Sequence, residues 1–194
     1  MQSKPTDSPF QSSTPSSQGG TPVAGPGKRR LAILAATVVV LAGLAVAGYK
    51  TLAVPSKAPD VVFTSLAGER ISMASLRGKV VMVNFWATSC STCIKEMPQM
   101  VETYDRFKGR GLDFVAVAMS YDPPNYVLNY AQTRKLPFTV SLDGNDVLAK
   151  AFGHVKLTPT TFLIDQKGNI IKRYVGEPDF TALHQLLDRT LAAS

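Results

Sequence analysis

Beyond residue 58, apolar residues fall into short runs that are separated by glycine, proline and polar residues. Residues 79–86 and 112–119 are apolar almost throughout, which is typical of strands that are covered on both faces. Residues 138–142 are predicted to be a further short strand. The pattern therefore predicts a sheet whose central strands are buried.

Two pairs of segments are joined by tight turns that contain glycine. Residues 60–66 and 69–73 flank the first of these turns, and residues 160–165 and 169–175 flank the second. Short apolar segments on either side of such a turn are typical of a β-hairpin. We therefore expect one hairpin ahead of the buried strands and another after them.

Helical periodicity occupies the stretches between the strands. Residues 91–108 repeat apolar side chains at every third or fourth position, and residues 124–135, 146–152 and 180–191 are predicted to be further helices. Strand, helix and strand followed by a hairpin and a helix predict an α/β domain over residues 59–194. Its central mixed sheet is expected to be flanked by helices.

The first 50 residues differ in composition from the rest of the chain. Residues 1–27 are rich in Pro, Ser, Thr, Gly and Gln, so we expect a disordered tail, placed in the cytoplasm. The basic cluster Lys28-Arg29-Arg30 is followed by residues 31–49, which carry no charge. A helix over that stretch is about 28 Å long at about 1.5 Å per residue, which is enough to cross a bilayer core.

Residues 28–50 are therefore predicted to be a basic flank followed by a single transmembrane helix. The helix is expected to contact the lipid bilayer through residues 31–49, and residues 51–58 are expected to be a linker. Basic residues ahead of the helix favour a cytoplasmic N-terminus. The expected location is the inner (cytoplasmic) membrane, with the C-terminal domain on the periplasmic or extracytoplasmic side. The alternative is a cleaved signal peptide, because Ala45-Val46-Ala47 is similar to a cleavage site, but the apolar run is longer than is typical of one.

The charge distribution argues against nucleic acid as a partner. The whole chain has a formal net charge of +7, but residues 51–194 contain 16 Lys and Arg against 13 Asp and Glu, which leaves only +3. No basic stripe with interleaved aromatic residues is present in the sequence. The excess positive charge belongs to the tail and to the flank of the apolar run.

The chain contains two cysteines, and they are three positions apart. Cys90 and Cys93 lie where the strand over 79–86 gives way to the helix over 91–108. The free N–H groups and the dipole at a helix N-terminus stabilise thiolate, which is the reactive form of cysteine. Cys93 is one turn further into the helix, close enough to close a disulfide with Cys90, so the pair is predicted to be a redox switch.

A structural disulfide and a zinc site are the alternatives for this pair. So short a loop constrains the unfolded chain little, and its value as a cross-link is therefore small. Zinc usually needs four ligands, and the two histidines, His154 and His184, are distant in sequence. We expect neither a metal nor a cofactor.

Three motifs together carry a resemblance to a known family. Asn84-Phe85-Trp86-Ala87 before Cys-x-x-Cys, Pro98 after it, and Thr158-Pro159-Thr160-Thr161 before the second hairpin resemble thioredoxin. The apolar anchor, the first hairpin and Cys93-Ile94-Lys95-Glu96-Met97-Pro98 resemble more closely the membrane-anchored TlpA/ResA-type thiol–disulfide oxidoreductases. The resemblance covers roughly residues 59–192 and implies a thioredoxin-like fold.

The resemblance implies a role for each residue around the cysteines. Cys90 is expected to be the attacking and more exposed thiol, and Cys93 the resolving thiol. Thioredoxin carries a buried Asp where this chain has Asn84, which cannot titrate. The TlpA/ResA pattern instead implies Glu96 as the acid/base, one helical turn beyond Cys93. The alternative is that Glu96 is an ordinary surface residue that pairs with a nearby lysine.

Three further residues are expected to contact the substrate. Pro159 is expected to be a cis-proline opposite the cysteines, and it exposes the backbone of Thr158 for pairing with an extended substrate. Trp86 is expected to be an apolar wall beside the site. The sequence departs from its relatives at Ser89, where they often carry Trp, and at Ser91-Thr92, which lacks their frequent Pro.

We therefore expect an exported, membrane-tethered reductase of disulfides in client proteins. The resemblance suggests apocytochrome c or copper-site proteins as clients, and a membrane electron donor for recycling. A thiol peroxidase of the AhpC/TSA type is an alternative, but it needs Thr and Pro where this chain has Ala87 and Val83. A copper-handling protein of the Sco type is another, but it needs Cys-x-x-x-Cys.

We predict that residues 31–49 stay attached to the mature protein as its anchor, because no charge interrupts them and a basic cluster precedes them. Mass analysis of the full-length protein recovered from membranes gives its N-terminus directly. Retention of the segment is the expected result, and a mature chain that begins at Gly48 would contradict the prediction.

Overall fold

The computed structural model describes Ile33, residues 38–40 and residues 57–193. The predicted tail over 1–27, nearly all of the predicted anchor over 28–50 and most of the predicted linker over 51–58 lie outside the described residues. Ile33 and residues 38–40 are helical and exposed. Among the described residues, no helix is both long and apolar enough to cross a membrane.

Residues 57–193 contain seven strands, which occupy the positions that the hydrophobic pattern predicts. They are β1 (Val62–Thr64), β2 (Arg70–Ser72), β3 (Val80–Trp86), β4 (Leu112–Ala118), β5 (Thr139–Leu142), β6 (Thr160–Ile164) and β7 (Ile170–Val175).

Five of these strands form one mixed sheet in the order β5-β4-β3-β6-β7. The central strand β3 pairs in parallel with β4 and antiparallel with β6. The strands β1 and β2 form the predicted antiparallel hairpin, which lies against the β5 edge through a hydrogen bond of 3.0 Å from Leu66 N–H to the carbonyl of Val140. The hairpin thus covers one edge of the sheet.

Four α-helices accompany the strands within residues 57–193. They are α1 (Ser91–Phe107), α2 (Pro124–Thr133), α3 (Val147–Ala151) and α4 (Phe180–Ala192). The helix α3 begins one residue later than its pattern predicts, because Asn145 and Asp146 have left-handed backbone angles, with φ of 60° and 58°. A left-handed residue cannot continue a right-handed helix, so α3 is short.

Two apolar cores lie on opposite faces of the sheet. From β3, Val80, Met82 and Trp86 pack into the core formed with α1, α2 and α4. The alternate residues Val81 and Phe85 pack into the other core, with α3 and the hairpin. Because successive side chains of a strand point to opposite faces, both sets are buried, and this explains why the run is apolar throughout.

Candidate redox site

Cys90 is the N-cap residue of α1, at the point where the chain leaves β3. Its backbone is extended, with φ of −88° and ψ of 105°, and its sulfur accepts a hydrogen bond from the N–H of Cys93 at 3.2 Å. The sulfur therefore occupies the place where a capping oxygen usually satisfies a free N–H group of the first turn. Negative charge on this sulfur is favoured by that bond and by the helix dipole.

Cys90 and Cys93 form a disulfide, with their Cα atoms 5.2 Å apart. The two residues have different environments, since Cys90 is partly exposed whereas Cys93 is fully buried. An incoming thiol or disulfide therefore has access to Cys90, while Cys93 is shielded by the core. This is the asymmetry that the predicted roles of the two cysteines require.

Glu96 lies inside the protein, one turn beyond Cys93 on the buried face of α1. Its side chain has no exposed surface. Its Oε1 accepts a hydrogen bond of 3.2 Å from the Nδ2 of Asn84, which also donates to the Oγ1 of Thr161 at 2.9 Å. Its Oε2 has no hydrogen-bond partner among the described residues. The environment excludes the alternative of a solvent-exposed glutamate.

Burial raises the pKa of Glu96 from 4.5 to about 8. Removing a carboxylate from water is costly, and a single hydrogen bond from Asn84 offsets only part of that cost. The negative charge of Glu177 raises the pKa further. Glu96 is therefore a neutral acid at pH 7 in the disulfide form and can still titrate within the physiological range.

A buried carboxylate fixes the loop that leads into Cys90. Asp122 is 3% exposed, and its two oxygens accept hydrogen bonds from the backbone N–H and the hydroxyl of Thr88, at 2.6 and 2.5 Å. The bonds join the loop after β3 to the loop after β4. The position of Cys90 therefore depends on a residue 32 positions away in sequence.

The Thr158–Pro159 peptide bond is cis, as the resemblance implies. Pro159 is buried and Thr158 is partly exposed. The Thr158 hydroxyl lies 3.3 Å from the hydroxyl of Tyr121, which is 58% exposed. Tyr121 precedes Asp122, so the loops that carry Thr88, Tyr121 and Thr158 are neighbours.

Trp86 has no exposed surface and packs against Tyr130 of α2, with ring centroids 5.3 Å apart and the ring planes tilted by 51°. The indole is thus a wall on the inner side of the site. A direct contact between this residue and a substrate requires the surrounding side chains to move. Its predicted role in substrate binding stays a prediction.

The structure brings a second carboxylate to the site that sequence reasoning missed. Glu177 follows β7 and forms an ion pair of 2.8 Å with Lys95, the neighbour of Glu96 on α1. The two glutamates are 81 positions apart, so no local pattern could reveal their proximity. Asn84, in contrast, can be recognised from the sequence alone, because it is a single polar residue inside the apolar run of β3.

A family model described as Redoxin matches residues 53–187. The chain is 35% identical over 133 residues to the thiol–disulfide oxidoreductase ResA of Bacillus thuringiensis, covering 69% of this chain and 76% of that protein. It is 36% identical over 159 residues to ResA of Geobacillus thermodenitrificans, covering 77% and 90%.

A solved structure extends this similarity to the fold. The crystal structure of a thiol:disulfide interchange protein of the thioredoxin family, from Chlorobium tepidum, superposes with a TM-score of 0.65 at 32% sequence identity. The match covers 72% of this chain and 98% of that one. The expected thioredoxin-like α/β fold is therefore confirmed.

The raised pKa of Glu96 predicts a pH-dependent stability that Glu96→Gln removes. The unfolded chain loses the proton near pH 4.5 and the folded protein near pH 8, so the stability present below pH 4.5 is lost as pH rises through this window. We expect the oxidised full-length wild type to lose roughly 3 to 4 kcal/mol more than Glu96→Gln between pH 5 and pH 8. Urea unfolding followed by the fluorescence of Trp86 measures the difference.

The comparison with Glu96→Gln removes the contributions of all other titrating groups to the pH dependence of the unfolding free energy, because both proteins contain those groups. A wild type and a variant whose unfolding free energies run parallel across this range would contradict a buried neutral Glu96.

Proposed function

The chain belongs to the Redoxin family and is of the ResA type, so its activity is thiol–disulfide oxidoreduction, and from this premise we propose that it is an exported, membrane-tethered reductase of client-protein disulfides. The observation that carries the roles of the two cysteines is the asymmetry of the site. Cys90 is accessible at a helix N-terminus, whereas Cys93 is buried on the same face of α1 as the neutral acid Glu96.

In the first step, the Cys90 thiolate attacks one sulfur of the client disulfide. A mixed disulfide forms between Cys90 and the client, and the other client sulfur leaves as a thiolate that takes up a proton. The free N–H groups of the first turn of α1 stabilise the attacking charge. The N–H of Cys93 is the one that points at the sulfur of Cys90.

In the second step, Cys93 attacks the sulfur of Cys90. The intramolecular disulfide forms, the second client sulfur leaves as a thiolate, and two electrons have passed to the client. Cys93 must lose its proton inside the apolar core, and Glu96 accepts it as a carboxylate. Glu96 reaches this ionised form in the preceding reduction of the Cys90–Cys93 disulfide, when it gives its proton to the leaving sulfur of Cys93. The proton then stays on Glu96 at neutral pH, because burial holds the pKa of this carboxyl at about 8 in the disulfide form.

The client is held in an extended conformation beside the cis-proline. Thr158 is partly exposed, and no hydrogen bond of its main chain is present within the described residues. Its N–H and C=O are therefore available to pair with an extended client segment, as an added strand pairs with a sheet edge. Tyr121 borders the same surface and can contact the client.

The cycle needs an electron donor on the same side of the membrane. Each turnover leaves the Cys90–Cys93 disulfide, so a dithiol or an equivalent two-electron donor must reduce it again. The basic cluster and the uncharged run of residues 28–49 support a single-pass anchor with the domain in the exported compartment. We propose a membrane protein as the donor, and apocytochrome c or copper-site proteins as clients.

Single-cysteine variants test the two roles. We expect the reduced full-length Cys93→Ser protein to form a covalent adduct with insulin that dithiothreitol releases, because the mixed disulfide at Cys90 can no longer be resolved. Cys90→Ser should form little adduct, since its remaining thiol is buried. Non-reducing electrophoresis and mass spectrometry identify the adducts, and the reverse pattern would contradict the assignment.

Glu96→Gln tests the proton acceptor. The variant keeps the helix, because Gln is similar to Glu in size and helix propensity, but it cannot accept the proton of Cys93. We expect the reduction of insulin by the full-length protein to slow about 10-fold or more. The alkylation rate of the reduced protein should also lose a titration step that the wild type shows.

Two controls accompany this experiment. Glu102→Gln removes an exposed glutamate of α1 and should leave the rate unchanged. Peroxide consumption and copper retention are measured on the same wild-type sample, because a peroxidase or a copper carrier would show these properties in place of insulin reduction. Equal rates and superimposable titrations for wild type and Glu96→Gln would point to solvent as the proton acceptor.

A further inference from the structure

The ion pair between Lys95 and Glu177 joins the two sides of the redox site. Lys95 lies in the first turns of α1, between Cys93 and Glu96, and Glu177 lies in the segment between β7 and α4. The Nζ and Oε2 atoms are 2.8 Å apart. The side chain of Glu177 is 30% exposed and that of Lys95 is 73% exposed, so the pair lies at the rim of the site rather than in its interior.

The backbone next to Glu177 is attached to the cis-proline. The N–H of Gly176 donates a hydrogen bond of 2.8 Å to the carbonyl of Pro159. Gly176 has a φ of 87°, a conformation that favours glycine and directs the chain away from the end of β7. Glu177 is therefore held at a fixed position between the cis-proline and the cysteine helix.

We propose that Glu177 is a positioning residue of the redox site, and that its charge, balanced by Lys95, controls how readily Glu96 takes up and releases the proton of Cys93. This inference rests on the proposed function, because it assigns a regulator to the same acid/base. Glu177 does not touch the cysteines and acts through the field at Glu96.

The charged and polar groups around Glu96 support this assignment. Asn84 of β3 donates to Glu96 and is itself neutral, and Thr161 of β6 is a neutral partner of Asn84. Lys95, the neighbour of Glu96 in α1, and Glu177, from the β7–α4 segment, form the charged pair nearby. Consistent with this geometry, the negative charge of Glu177 raises the pKa of Glu96.

The two members of the pair have opposite effects on Glu96. Removing Glu177 takes away a negative charge and leaves Lys95 unbalanced, and both changes favour the ionised carboxylate. Removing Lys95 takes away a positive charge and leaves Glu177 unbalanced, and both changes favour the neutral acid. A purely structural ion pair predicts the same disturbance from either substitution, because each one breaks the same contact.

The experiment follows the titration of the Glu96 carboxyl by NMR in the oxidised full-length protein labelled with ¹³C at glutamate. Glu96→Gln assigns the signal. We expect Glu177→Gln to lower the midpoint by about half a pH unit and Lys95→Gln to raise it by a similar amount. The double variant Lys95→Gln/Glu177→Gln should return close to the wild-type midpoint, and added salt should shrink both shifts.

Asp105→Asn is the matched control, because it breaks another exposed ion pair of α1, between Asp105 and Lys108 at 2.6 Å, near the opposite end of the helix. It should leave the midpoint unchanged. Shifts of the same sign in Glu177→Gln and Lys95→Gln, or no shift in either, would overturn the proposal. Because no client takes part in this titration, its outcome is independent of whether the protein reduces insulin.

Discussion

The carboxyl group of Glu96 lies in the apolar interior, on the face of α1 that also carries Cys93, and it receives one hydrogen bond, from Asn84. An ionised carboxylate at this position would have lost most of its hydration without gaining the donors that compensate for it. In the disulfide form, the neutral acid is therefore the stable form at pH 7. Glu96 is the acid/base that lies near the buried sulfur of Cys93 in the helix. The proton transfer that resolves a mixed disulfide therefore depends on Glu96.

Separate parts of the chain maintain this arrangement. The central strand β3 supplies Asn84, and its pairing with β6 places Thr161 beside the same amide. The helix α1 begins at the end of β3, so the cysteines lie at its positive end while Glu96 lies one turn further inside. Asp122 fixes the loop ahead of Cys90 by two hydrogen bonds to Thr88. The accessible sulfur and the buried acid are thus positioned by different elements, which allows the nucleophile and the proton acceptor to have different environments.

The strands, the helices and the cysteine pair could be predicted because their signals are local. The apolar run of β3, the helical repeat of α1 and the spacing of Cys90 and Cys93 each lie within about one element. The contacts of Glu177 and Asp122 could not be predicted, because they join residues far apart in sequence through the packing of loops. The burial of Glu96 is intermediate between these cases. Its position relative to Cys93 follows from the helix, but its lack of exposed surface depends on the packing of α1 against the sheet, where Asn84 of β3 contacts it.

The protonation state of Glu96 in the disulfide form tests this account most directly. Infrared difference spectra between the oxidised full-length wild type and Glu96→Gln isolate the carboxyl band of this one residue. The account predicts a band of a protonated acid at pH 7 that converts to carboxylate bands with a midpoint near pH 8, in agreement with the pKa that burial gives Glu96. A difference spectrum that already shows carboxylate at pH 7, with conversion near the ordinary pKa of a glutamate, would contradict it.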